Sequence, residues 1–139
     1  MHVSFALFAD AANLSQEGKL NVLGVFDALQ VQTLPAIHPR ACLVVHLKGT
    51  AVDIGTHTVG FRWLNPSGQE LWNSTGELGV GPPAPGAVEM DLPLIAQLDL
   101  PLDGAGAYTM AIAIDGSPTS DIRVQVRTAA PIAAGSIVS

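Results

Sequence analysis

Apolar residues recur at every second position in short runs broken by Gly, Pro, Asn and Asp, and no long helical stripe interrupts them. That rhythm commits the chain to β-strands. Residues 3–9 place Val3, Phe5 and Leu7 on one face and Phe8 on the other. Residues 19–27 give Leu20, Val22 and Phe26 one parity, with Gly24 marking a bulge or a close backbone approach. Residues 29–34 alternate again, as a bent continuation or a separate strand. Residues 40–48 send Ala41, Leu43, Val45 and Leu47 inward and Cys42, Val44, His46 and Lys48 outward. Residues 56–64 turn His57, Val59, Phe61 and Trp63 inward. Asn65-Pro66-Ser67-Gly68 then predicts a tight turn into a strand over 69–76, with proline at its second position and glycine at its fourth. The Pro- and Gly-rich segment 81–86 divides the chain into two halves. Two apolar runs follow, 87–92 and 94–100, separated by Pro93. Turns at 103–106 and 115–118 deliver strands at 107–115 and 121–127. Tyr108 opens the first of these, where such a tyrosine either packs at a sheet margin with its hydroxyl on backbone or serves as plain core.

Eight or so strands with regular turns predict one all-β domain over residues 1–127, a single antiparallel β-sandwich of jelly-roll or immunoglobulin-like type. A chain of 139 residues buries enough surface to hold a core without a metal or disulfide, and its one cysteine, Cys42, reads as a small buried hydrophobe. Residues 128–139 change character. They are rich in Ala, Pro and Gly, which is the composition of a disordered tail, yet Ile132, Ile137 and Val138 suit a segment that docks on its own domain or on a neighbour.

Only 13% of the residues are charged, about half the usual share, so apolar and uncharged groups must cover much of the surface. That favours association with a partner or with further copies. The net charge of −6 and the scattered Lys and Arg argue against nucleic acid and against anionic membranes. No apolar run is long enough for a transmembrane helix, and the first residues lack the basic start of a signal peptide. A soluble, cytoplasmic protein is expected.

Catalytic patterns are missing. His2, His38, His46 and His57 show no metal-ligand spacing, and His46 and His57 take opposite strand parities. The loop carboxylates Asp10, Glu17, Asp53, Asp99, Asp103, Asp115 and Asp121 leave calcium open, although loop Asp is more often a turn former. No nucleophile elbow or phosphate loop occurs. Cys42 and His46 stand four residues apart on one strand, roughly 13 Å, which is too far for a dyad. Trp63 and Trp72 flank the Asn65 turn and would stack a sugar if exposed, but burial is the commoner fate of Trp.

The stretch from Phe5 to Asn13, the run from Gly18 to Asp27, Pro35-Ala36-Ile37-His38-Pro39, and Gly106-Ala107-Tyr108 with Asp115-Gly116 are similar to a bacterial family known only as a domain of unknown function. The resemblance covers nearly all of the chain up to residue 127. It implies a stand-alone β-sandwich in the bacterial cytoplasm and brings no activity or catalytic residues.

The expectation is therefore a non-enzymatic structural or protein-interaction module, a homo-oligomer or the member of a larger assembly, without cofactor or metal. Phe8, Val44, Leu64, Ile132 and Ile137 are its candidate interface residues. The alternative is a ligand-binding sandwich taking calcium or carbohydrate at its loop ends.

Overall fold

The structure, a computed structural model, describes residues 1–128. Among these the chain forms nine strands and one 3-10 turn, with no α-helix. The strands are β1 (His2–Leu14), β2 (Leu20–Phe26), β3 (Ala28–Val31), β4 (Ala36–Gly49), β5 (Gly55–Leu64), β6 (Glu70–Val80), β7 (Met90–Leu102), β8 (Gly106–Ile114) and β9 (Ser117–Thr128). They make two sheets, one of four strands in the order β2-β1-β4-β7 and one of five in the order β3-β9-β8-β5-β6.

One core joins the two sheets. Ala41, Leu43, Val45 and Leu47 enter it from β4, and Tyr108, Met110, Ile112, Ile114, Ile122, Val124 and Val126 from β8 and β9. Alternation alone produces this, because each of these strands shows one apolar parity to a single interior. Trp63 is fully buried at the junction, edge-on to Phe8 at 6.0 Å and stacked on Tyr108 at 5.2 Å. Its indole N–H donates to the Pro101 carbonyl of the opposite sheet at 2.8 Å, so no polar atom is stranded there.

Two turns pack together at one end. In the Asn65 turn the Gly68 N–H reaches the Asn65 carbonyl at 2.9 Å, while the Asn65 side-chain oxygen accepts from the Ser67 and Gln69 N–H groups. Its amide donates to Asp103 at 2.8 Å. The other Asp103 oxygen lies 2.7 Å from the Tyr108 hydroxyl, which itself accepts the Asp103 and Gly104 N–H groups. Tyr108 is thus both core and margin, its ring buried and its hydroxyl holding the turn. Gly106, at φ +134, lies where a Cβ would strike Pro66, so that packing of turn on turn demands glycine.

Four features depart from the sequence reading. First, β1 carries a bulge at Ser4, since Val3 pairs with Leu47 but Phe5 with His46. One extra residue exchanges the faces of everything beyond it. Phe8 and Ala6 therefore point inward and Phe5 and Leu7 outward, and Phe8 is a fully buried core residue rather than an interface residue. Second, the runs on either side of Pro93 are one strand, β7. It is the edge of its sheet, where proline's missing N–H costs no ladder bond. Third, β3 is a separate strand that crosses to the second sheet at Asp27 and pairs with β9 in parallel, so the arrangement is not wholly antiparallel. Fourth, Val44 has the expected outward parity but is fully covered between its register neighbours Leu7 and Ile95. It floors that surface and cannot itself touch a partner. Ile132 and Ile137 lie outside the described residues.

Candidate interaction surface

The outer face of the four-stranded sheet is built by the strand parities that the core does not use. Its rungs follow from register. Phe5, His46 and Pro93 form one, and Leu7, Val44 and Ile95 the next. Val25, Ala9, Cys42 and Gln97 form the third, and Leu23 with Ala11 ends the series. Neighbouring strands stand about 4.8 Å apart, so these side chains make one continuous apolar field. Its centre, Ala9, Cys42 and Val44, is already buried. Around that centre Leu23 is 72% exposed, Val25 61%, Phe5 42% and Ile95 36%. Phe5 lies flat on the His46 ring at 4.9 Å and 2°.

Apart from the exposed Gln97 on the edge strand, polar groups gather at the ends of this field. At one end Asn13 and Asn21 bond to each other across β1 and β2. At the other, Lys48 and Asp91 form an ion pair at 3.1 Å, which raises the Lys48 pKa and lowers that of Asp91. The same end brings together Ser4, His46 and Asp91, three residue types used in nucleophilic catalysis. Their separation in sequence hid them, and only the β1–β4–β7 register unites them. The Ser4 hydroxyl has two partners on His46, the backbone carbonyl at 3.1 Å and the ring Nδ1, so its single proton is shared between the strand and the ring. Asp91 stands 3.6 Å from Nε2, and of the three only Asp91 lines one of the four principal clefts, together with Glu89, Met90 and Leu92. The cluster pins the bulge.

A second polar cluster sits at the far side of β5. His57 has an acceptor on each ring nitrogen: the Asp115 carboxylate at 2.7 Å and the Asp53 carbonyl at 2.6 Å. Both bonds require the imidazolium, and the Asp115 carboxylate is the main reason its pKa is raised. Asp115 is lowered in turn by His57 and by the Thr58 N–H. Asp53 also accepts the Thr50 N–H, its main cause of a lowered pKa, and the Met1 ammonium. Asp53 accepts within its own turn, whereas Asp99, Asp103 and Asp115 accept N–H groups from Arg40, Asn65 and Thr58 of distant segments. Among the described residues no three His, Cys, Asp or Glu side chains converge in a way that would hold a metal ion. No helix among them is long and apolar enough to cross a membrane.

Leu64 keeps its outward parity, half-buried on the five-stranded sheet beside Thr109, away from the apolar field. Trp63 is core and Trp72 packs half-buried against the core, so the pair offers no sugar-stacking platform. Sequence reasoning missed Phe5, Leu23, Val25 and Ile95. Leu23 and Val25 have a readable outward parity, but their meeting with Phe5 and Ile95 depends on the bulge and on strand order.

Fold and surface together define an all-β protein of two sheets with one largely apolar outer face. The chain belongs to a family of unknown function, DUF6941, whose family model matches residues 4–127. It matches no curated protein.

Proposed function

We propose that the protein is a non-enzymatic β-sandwich module, of the jelly-roll or immunoglobulin-like kind, that self-associates through the outer face of its four-stranded sheet. The observation that carries this reading is the field of Phe5, Leu23, Val25 and Ile95 around a dry centre. A second copy is the occupant that fits its charge. The face holds one ion pair, neutral in itself, so a strongly charged partner would find no complement there, whereas another copy brings the same uncharged surface despite the net charge of −6.

The exposed parts of these four side chains amount to roughly two full ones, worth about 3–6 kcal/mol per copy when buried. Two copies thus gain about 6–12 kcal/mol against an association cost of about 4–15 kcal/mol. Such a dimer is weak and concentration-dependent. Sedimentation velocity across a concentration series should show a reversible rise in mass, and the double variant Leu23→Glu with Val25→Glu should stay monomeric at an unchanged melting temperature. A wild-type protein that remains monomeric at millimolar concentration overturns the proposal, as does a double variant that associates normally. Ser4 and His46 bond to each other at the β1 bulge and line none of the four principal clefts, which supports the non-enzymatic part. Hydrolysis of p-nitrophenyl esters at the buffer rate, unaltered by Ser4→Ala, is expected, and a Ser4-dependent rate would refute it.

A further inference from the structure

The outer face of the five-stranded sheet is unlike that of the other sheet. Two register rungs cross it, Asn73–Arg62–Ala111–Asp121 and Thr75–Gly60–Ala113–Pro118. In both, the middle of the sheet carries side chains no larger than a methyl group on at least one central strand, while the flanking strands carry taller ones: polar Asn73, Thr75 and Asp121, and Pro118. The result is a trough of about 550 Å³, within the range of small-molecule sites.

The walls of this trough are ordered on one side and open on the other. Arg62 donates through Nε to Glu70 at 2.7 Å, and the second Glu70 oxygen accepts from Asn73 at 2.9 Å. This fixes the guanidinium plane with its outer N–H groups turned away from Glu70. Two strands across, roughly 10 Å by strand spacing, stands the exposed Asp121. Donors from Arg62, acceptors from Asp121 and the hydroxyl of Thr75 therefore surround a floor of two alanine methyls and one glycine.

We infer that this trough binds a neutral saccharide of one or two rings, the C–H face of a pyranose resting on Ala111, Ala113 and Gly60 while its hydroxyls meet Arg62, Asn73, Thr75 and Asp121. Among these groups the one cation, Arg62, is matched by Glu70, and Asp121 adds an unmatched negative charge. Phosphates and acidic sugars are thereby disfavoured, whereas uncharged hydroxyls, which donate and accept, satisfy both walls. The site lies on the opposite sheet from the proposed dimer face and stands or falls without it.

The test uses the full chain with cellobiose, maltose and lactose as probes, followed by amide chemical shifts. Millimolar binding by at least one disaccharide is expected, with shifts confined to Gly60, Arg62, Asn73, Ala111, Ala113 and Asp121. Ala111→Leu, which fills the floor from the solvent side, should weaken that binding at least about tenfold, and Asp121→Ala several-fold. A melting temperature within a few degrees of wild type shows that each variant is folded. Shifts from none of the three sugars overturn the inference, and so does binding undiminished in a folded Ala111→Leu variant.

Discussion

Removing one oxygen atom at Tyr108 tests how the two turns hold the sheets. In Tyr108→Phe the ring stays in the core beside Trp63, and only the hydroxyl is lost. That oxygen accepts two N–H groups at 2.9 Å, from Asp103 and Gly104, and donates to the Asp103 carboxylate or the Gly104 carbonyl, each at 2.7 Å. The three bonds saturate it. At about 1 kcal/mol net for each, moderated by water reaching the exposed Asp103, the variant should lose about 2–3 kcal/mol. For a domain of this size that lowers the melting temperature by about 6–12 °C. Urea unfolding followed by tryptophan fluorescence reads the change, since Trp63 stacks on this ring. Asn65→Ala supplies the second arm, because Asn65 bonds the same Asp103 carboxylate. The two substitutions should be coupled by about 0.5–1.5 kcal/mol in a double-mutant cycle. A loss below about 0.5 kcal/mol for Tyr108→Phe, additive with Asn65→Ala, would refute the idea of one shared network.

The Ser4 bulge makes a paired prediction: Phe8→Ala should cost about 3–5 kcal/mol by urea denaturation, while Phe5→Ala, three residues away and on the outer face, should cost about 1 kcal/mol or less. Equal costs would mean that the bulge does not exchange the faces. The His57 clip predicts a pH dependence on the alkaline side. Because its folded pKa lies above the ordinary 6.5, its contribution is whole below that pH and is lost as the pH rises through the folded value. Melting temperatures measured from about pH 5 to about pH 9 should therefore decline over the upper part of that range, above the ordinary 6.5, and His57→Gln should flatten the decline. A variant with the wild-type profile would show that the clip does not act.

The parts of this protein that could be read from the chain are those set by a residue and its near neighbours. The inward parities of β4, β5, β8 and β9 follow from alternation, and the Asn65 turn from the backbone preferences of its Pro and Gly. The close approach at Gly24 was legible for the same reason: it has φ +74, and a Cβ there would strike the Asp10 side chain. Tertiary structure decided the rest. The bulge at Ser4 is a matter of register between strands 42 residues apart, and it alone turned Phe8 into core and Phe5 into surface. Pro93 could continue β7 only because that strand ended up at an edge. The apolar field and the polar trough were invisible for the same physical cause. A strand's own sequence fixes which side chains share a face, but strand order and register decide which faces lie side by side, and those depend on packing energies summed over the whole core.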